Sequence, residues 1–338
     1  MLSVKTPILA KDIHSVKELA PGHSVYRLDG WGDGSGKIDS IVIKLEESQN
    51  PQHVQAANMI MTVVDKNART EVLSMTEIQN LQRWAHNVEV FNQDEFRPVN
   101  ELTSDLRKQG AWVKMALKQL MTLDKAVDKR FVDPANPDKT DTRIIATGLR
   151  RRGGLEKLGE ILAADLFNGN NDRIGYPNGY IYLVNDSNGG FVKKFNLKVI
   201  SNVGNLFLAC DGNGRGSPIG LDTFDPKMGD HHDLDTSRQL KGGWGGELFL
   251  KQNKVERMKY IANLVDDLET LLGGARNRKI PGATSNQLGR NRKGRIDKGL
   301  KSGEKKIQRA FRGWRRQAGG RQLKTHVHEK LSMLGWKT

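Results

Sequence analysis

The stretch from Asp165 to Arg173 carries residues whose types and spacing could perform chemistry. A pattern of apolar residues at helical spacing runs into this stretch, namely Leu155, Leu158, Ile161, Leu162 and Leu166. The Asn- and Gly-rich run from Asn168 to Asn171 predicts that this helix ends there, because these residues tolerate left-handed backbone conformations. Asp172 therefore follows a buried helix and a tight loop, which is the fixed support that a general base needs. The alternative is a surface turn with a solvated Asp172–Arg173 pair.

Two further polar residues lie next to predicted strands. Asn205 precedes the apolar run Leu-Phe-Leu, and Asp222 follows Pro-Ile-Gly-Leu. The order acid, amide, acid, with the last two at strand ends, is the order in which kinases hold the nucleophile and magnesium.

These residues resemble the catalytic core of the actin-fragmin kinase and phosphoinositide kinase branch of the protein-kinase-like fold. That branch carries an apolar helix ending in Gly-Asn-x-Asp-Arg, then an Asn before a short strand, then an Ile/Leu-Asp pair. The resemblance covers residues 155–225 well and the N-terminal part loosely. It implies that Asp172 orients the substrate hydroxyl and that Asn205 and Asp222 hold Mg²⁺. It also implies that Arg173 steadies the loop or the phosphates.

The spacing between Asp172 and Asn205 is longer than this family's pattern. Residues 179–200 are predicted to form an inserted hairpin, because an apolar segment and an alternating segment flank a run of Asn, Asp, Ser and Gly. If that interpretation fails, Asn202 and Asn178 are the alternative amide ligands.

A glycine-rich turn lies between two strand-like segments, Ser24–Asp29 and Ile38–Leu45. Its glycines are Gly30, Gly32, Gly34 and Gly36. Strand, glycine turn and strand, with Lys44 late in the second strand, are typical of the hairpin that covers the phosphates in kinases. This is not a Walker loop, because Ile38 stands where Ser or Thr would hold magnesium. The resemblance therefore implies that Lys44 holds the phosphates of ATP.

A kinase lysine pairs with an acid from a neighbouring helix. The helix predicted over residues 51–65 has no acid at its centre. The acid that pairs with Lys44 therefore stays open among nearby carboxylates, namely Glu46, Glu47, Asp65 and Glu71.

Composition restricts the class of protein. The 338 residues can bury a full core, and the single cysteine, Cys210, allows no intramolecular disulfide. No apolar run approaches the roughly 20 residues that span a bilayer. The beginning of the sequence has no apolar signal-peptide region. We therefore expect a protein that is not transmembrane, and that is either cytoplasmic or secreted into a host cell without a signal peptide.

The positive charge is concentrated near the C-terminus. Residues 273–338 hold 19 Lys and Arg against three acids, a net charge of +16, whereas the preceding 272 residues have a net charge of −1. Residues 273–299 are predicted to be a flexible linker, because they are rich in Gly, Asn and Arg and poor in apolar residues.

A basic amphipathic helix is predicted in the tail over residues 300–338. Ile307, Phe311 and Trp314 share one helical face. The segment resembles the IQ motif, Ile-Gln-x-x-x-Arg-Gly-x-x-x-Arg, and departs from it only at the last position. The predicted partner-binding residues are Ile307, Gln308, Phe311, Arg312, Gly313 and Trp314. The resemblance implies calmodulin or a similar light chain as partner, and the charge leaves nucleic acid and acidic lipid open.

We therefore expect an α+β, two-lobed protein-kinase-like fold with a mostly helical C-terminal extension. The N-terminal lobe would take residues 1–95 and the catalytic lobe residues 96–272, with ATP between them. Helices are predicted over residues 51–65, 70–90, 100–129 and 254–272.

The predicted activity is an ATP- and magnesium-dependent kinase that phosphorylates protein hydroxyl groups and is regulated by calmodulin. A kinase-like core with an IQ-like tail resembles bacterial effectors that host calmodulin activates. AMP transfer or amino-acid ligation on the same fold is an alternative. A non-enzymatic protein that binds nucleic acid through its tail is another.

Overall fold

A computed structural model of the protein describes residues 2–32, 34–35, 39–47, 51–91, 96–116, 120–123, 148–151, 153–168, 170, 173, 181–185, 191–195, 205–210, 216–222, 254–272 and 288–314. The fold is α+β. The chain divides into two compact units. Unit 1 is Met1–Thr62 with Ala68–Lys118, and unit 2 is Val63–Asn67 with Gln119–Thr338.

Unit 1 is built on a five-stranded antiparallel sheet. Its elements are β1 (Ile13–Ala20), β2 (Val25–Gly30), β3 (Ser40–Glu46), α1 (Pro51–Val64), β4 (Thr70–Val72), α2 (Met75–Phe91), α3 (Phe96–Asp105) and β5 (Ala111–Ala116). The strand order is β1-β2-β3-β5-β4. Alternate residues of β2, Tyr26 and Leu28, are fully buried in a core that also contains Leu81, Trp84 and Leu102 from α2 and α3.

The division between the units differs from the predicted lobes. Residues 96–116 belong to unit 1, because β5 pairs with both β3 and β4 and completes the sheet. The helix predicted over residues 100–129 is wrong for residues 111–116 and 120–122, which are strands. A short, mostly apolar run such as Ala111–Ala116 cannot be assigned to a helix or to a strand by its periodicity alone. Pairing with β3 and β4 makes it a strand.

The described residues of unit 2 contain helices and two small sheets. Its elements are β6 (Leu120–Thr122), α4 (Gly154–Asn168), β7 (Ile181–Asn185), β8 (Phe191–Phe195), β9 (Phe207–Cys210), β10 (Gly216–Ile219), α5 (Lys254–Leu272) and α6 (Arg292–Trp314). Strands β10, β9 and β6 form one antiparallel sheet. Strands β7 and β8 pair antiparallel, and among the described residues they pair only with each other. Both lie within residues 179–200, where the inserted hairpin is predicted.

Helices α4 and α6 pack at very close range. A methyl group added at Gly299 would overlap the carbonyl oxygen of Glu156, and one added at Gly303 would lie 2.6 Å from the Cβ of Ala163. Ile296 and Leu300 are buried on the same face of α6. The predicted flexible linker is therefore wrong for residues 292–299, which are the first turns of a docked helix.

Polar contacts hold α6 at its beginning and its middle. Arg295 pairs with Glu156 at 3.1 Å, and Arg257 of α5 pairs with Asp297 at 2.6 Å. Burial raises the pKa of Asp297, but the contacts from Lys301 and Arg257 outweigh it and lower the pKa. Helix α6 thus belongs to the packed core of unit 2. No helix in the described ranges has the length and apolar character to cross a membrane.

Candidate active site

Arg173 is the centre of a buried network in unit 2. Its side chain is 1% exposed, and its Nε donates to the Oδ2 atom of Asp165 at 2.7 Å. The other two nitrogens donate to backbone carbonyls: Nη1 to Asn205 at 2.5 Å, and Nη2 to Leu221 at 2.5 Å and to Asp222 at 3.2 Å. One guanidinium therefore joins the end of α4, the segment before β9 and the segment after β10.

The planar fork of arginine suits this position, because its donors point in fixed directions and it stays charged when buried. The alternative of a solvated Asp172–Arg173 turn is therefore wrong for Arg173. Of the two roles that the resemblance implies for it, the observed contacts fit the steadying of the loop.

Asn170 fixes the loop a second time. Its backbone N–H donates to the carbonyl of Asp165 at 2.8 Å, and its Nδ2 donates to the carbonyl of Asp222 at 3.0 Å. The side chain is buried. Asp172 itself lies outside the described residues, as do Asn178 and Asn202. On either side of Asp172, Asn170 and Arg173 both form hydrogen bonds to Asp165 and to the carbonyl of Asp222.

The two predicted magnesium ligands are held by the same guanidinium. Asn205 and Asp222 are both partly exposed, and Asp222 has a left-handed backbone with φ of 58°. Asp tolerates this conformation better than most residues. An amide oxygen and a carboxylate are hard ligands, and magnesium commonly takes one or two carboxylates plus water and substrate phosphates. The donor set therefore fits magnesium. No group of three or more His, Cys, Asp or Glu within the described residues is placed to hold a metal.

Asp65, directly after α1, binds the backbone of the segment that leads to Asp222. Its side chain is 1% exposed and pairs with Lys157 at 2.9 Å, while its Oδ2 accepts from the N–H of Gly220 at 2.9 Å. Lys157 also donates to the carbonyl of Val64 at 2.8 Å. Asp65 is one of the four predicted candidates for pairing with Lys44, but its observed partners, Lys157 and Gly220, belong to unit 2. Its partners are distant in sequence, so no local pattern indicated them.

The charge of Asp165 also affects α5. Burial first, and the Asp165 carboxylate second, raise the pKa of Tyr260. The phenol of Tyr260 is therefore held in its neutral form more firmly than a free tyrosine.

The glycine turn in unit 1 has the predicted hairpin form. Strands β2 and β3 pair antiparallel from Val25–Lys44 to Asp29–Ser40. Gly30 packs so closely that a methyl group there would lie 3.2 Å from the carbonyl of Asp12. Gly32 and Gly34 belong to the turn, with φ of 80° at Gly34, whereas Gly36 lies outside the described residues.

The acid beside Lys44 is Glu46, two residues further along the same strand. The Nζ–Oε2 distance is 3.2 Å, and the lysine side chain is 21% exposed. Glu71, another of the predicted candidates, pairs with Arg69. The lysine therefore has a carboxylate partner from its own strand.

A second lysine–glutamate pair was missed in the sequence. Lys114 of β5 binds Glu77 of α2 at 2.6 Å, and both side chains are almost fully buried. Glu77 also accepts the backbone N–H of Ile8, and it forms a reciprocal capping box with Ser74. Burial raises the pKa of Glu77, but these hydrogen bonds outweigh it and lower the pKa. The Ser-x-x-Glu spacing was the available signal for the cap; nothing local indicated Lys114.

The IQ-like residues lie on α6. Ile307 is 1% exposed, because it belongs to the face that packs on α4. Gln308 donates to Glu304 at 3.3 Å on the same helix. The side chains of residues 311–314 are outside the described part, although their backbone continues the helix. The expectation that Ile307 is an exposed anchor for a partner is therefore wrong in this conformation.

Comparison with protein-family models, with curated proteins and with solved structures gave no match.

Proposed function

We propose that this protein is an ATP- and magnesium-dependent phosphotransferase that phosphorylates protein hydroxyl groups. The observation that carries the proposal is the Arg173 guanidinium, which holds the Asp165 loop, Asn205 and Asp222 together. Such a network supports a reaction in which a base next to Arg173 acts together with oxygen ligands from Asn205 and Asp222.

The proposal gives each residue one role. Asp172 accepts the proton of the substrate hydroxyl, and Asn205 and Asp222 hold magnesium, which neutralises the charge on the phosphates. The glycine turn and Lys44 hold the phosphates of ATP. Arg173 is a positioning residue, since its donors are engaged by Asp165 and three carbonyls.

The test uses the full chain with γ-labelled ATP, magnesium and a cell extract as the source of acceptor protein. Asp172→Asn and Asp222→Asn keep the side-chain shape and remove the charge. We expect each to lower phosphate transfer by about 100-fold or more, the lower range for loss of a general base. Asp266→Asn, at an exposed position of α5, is the matched control and should keep full activity.

Two results would contradict the proposal: a folded Asp172→Asn variant with unchanged transfer, or an Asp222→Asn variant with unchanged dependence on magnesium. Mass spectrometry of the modified protein distinguishes a phosphoryl group from AMP or a ligated amino acid. Either of the latter products would keep the site and replace the reaction.

Calmodulin regulation is the remaining part of the proposal, and the IQ-like spacing supports it. Because Ile307 is buried against α4, binding in this mode requires the C-terminal half of α6 to leave α4. The same transfer assay, run with and without calmodulin, tests this, and unchanged activity together with undetectable binding would refute it.

A further inference from the structure

The face of α6 opposite α4 is a row of positive charge. Lys298, Lys301, Lys305 and Arg309 are exposed and recur at intervals of three or four residues, so they share one side of the helix. With a rise of about 1.5 Å per residue, the row is about 16 Å long. Within the described part of the chain, no ion pair engages three of them, namely Lys298, Lys305 and Arg309.

The positive surface continues beyond the helix. A cleft of about 560 Å³ lies between residues 63–67 and the C-terminal half of α6, and its lining includes Lys66, Lys157, Lys306 and Arg309. The acid in that lining, Asp65, is buried and paired with Lys157. A neighbouring cleft of about 530 Å³ along α6 shares Lys306 and Arg309 with it. Lys306 pairs with Glu160 of α4, and the acid in the second lining, Asp297, pairs with Arg257 and Lys301. The two clefts therefore form one continuous surface within unit 2, whose positive charge beyond these pairs comes from Lys66, Lys298, Lys305 and Arg309.

The chemistry of this surface favours a partner that is recognised by charge alone. The apolar face of α6, with Ile296, Leu300 and Ile307, is buried. A helix that lies in a membrane interface must insert its apolar face, and a helix in the groove of a partner protein needs apolar anchors. Over residues 292–310, α6 exposes no large apolar side chain that could do either.

We infer that the basic face of α6 binds the phosphate backbone of nucleic acid. Nucleic acid presents repeated negative charges along its length, and Lys and Arg that neutralise them release condensed counterions. Over residues 292–310, this row of cations has no exposed large apolar neighbour, which matches that pattern. This goes beyond the proposed phosphotransferase, because it adds a binding surface whose residues have no part in the transfer.

The test measures binding of the full chain to fluorescein-labelled poly(U) RNA of about 20 nucleotides, which exceeds the roughly 4–16 nucleotides of common single-strand sites. The triple variant Lys298→Gln, Lys305→Gln and Arg309→Gln removes charges at solvent-exposed positions. The control triple variant Lys11→Gln, Lys17→Gln and Arg83→Gln removes the same net charge from exposed positions of unit 1. Circular dichroism verifies that both fold.

The expected loss follows from counterion release. Each contact to a single strand contributes about 0.7 to the slope of log K against log salt, so three lost contacts reduce the slope by about 2. At about 0.1 M salt this corresponds to roughly 100-fold weaker binding for the α6 triple variant. The control triple variant should bind within a few-fold of wild type, and a charge-preserving variant with Lys305→Arg and Arg309→Lys should also bind normally.

Equal weakening by both triple variants would overturn the inference, since it would show attraction by net charge alone. Loss of binding in the charge-preserving variant would overturn it as well. Parallel titrations use calmodulin and phosphatidylserine vesicles. Binding of either through these three residues, with no binding of RNA, would assign the face to an acidic protein or to a membrane instead.

Discussion

The buried Asp165–Arg173 pair should determine whether unit 2 folds. Arg173→Met removes a guanidinium that makes four hydrogen bonds and leaves the Asp165 carboxylate, 3% exposed, without its cation. Breaking a buried pair in this way costs about 3–5 kcal/mol. Carbonyls of Leu221 and Asp222 also lose a donor, so we expect the loss to lie at the upper end, about 4–5 kcal/mol.

A double-mutant cycle separates this pair from general damage. Asp165→Asn alone leaves a buried cation, whereas Asp165→Asn with Arg173→Met leaves neither charge unpaired. The double variant should therefore be more stable than the sum of the single losses predicts, by about 2 kcal/mol. If Arg173→Met does not fold, Arg173→Lys replaces it, because lysine keeps the charge but lacks the fork.

The assay is scanning calorimetry of the full chain, in which about 1 kcal/mol corresponds to roughly 2–4 °C for a unit of this size. The exposed i,i+4 pair Arg97–Glu101, at 3.3 Å and with the arginine 83% exposed, gives the matched control cycle. We expect about 0.5 kcal/mol or less there. A loss below about 1 kcal/mol for Arg173→Met, or strictly additive effects in the Asp165–Arg173 cycle, would refute the reasoning.

Three further predictions concern the remaining packing. The pKa of Glu77 is lowered in the folded state, so its pairing with Lys114 stabilises the protein above the unfolded pKa of about 4.3, and this stabilisation is lost as pH falls through the folded pKa. Glu77→Gln should therefore lower the free energy of unfolding at neutral pH and make that free energy fall less steeply on acidification. Denaturant titrations at several pH values measure both effects. Gly299→Val should cost about 3 kcal/mol or more because its side chain meets the backbone of α4, whereas the same new side chain in Lys298→Val, on the exposed face, should cost less than about 1 kcal/mol by thermal melting. Ile307→Ala should cost about 2–5 kcal/mol of stability without any partner present, since the side chain is a core residue of α6; an unchanged melting temperature would contradict that role.

Local elements were predictable because their signals are short in sequence. The apolar spacing from Leu155 to Leu166 gave α4, and the polar run at Asn168 gave its end. The glycine turn before Lys44 gave the β2–β3 hairpin. In each case the residues that define the element lie within about one helical turn or one strand of each other, so intrinsic backbone preference suffices.

Candidate site residues were chosen by their type and order in the sequence, but the sequence did not indicate which residues they contact. Arg173 reaches carbonyls 32 and 48 residues further along the chain, at Asn205 and Leu221. Lys114 reaches Glu77 across 37 residues. Such partners meet only when strands and helices pack, and the sequence carries no local signal for which charged residue a buried cation will find.

The C-terminal helix shows the division most clearly. Its amphipathic pattern alone determined that one face of α6 needs an apolar partner and that the other is basic. The pattern is the same whether that partner is calmodulin or the chain itself, because both bury the same side chains. Only the tertiary structure shows that the partner of this apolar face is α4. Gly299 and Gly303 let α6 approach the backbone of α4, and Ile307 is buried on the same face as Leu300.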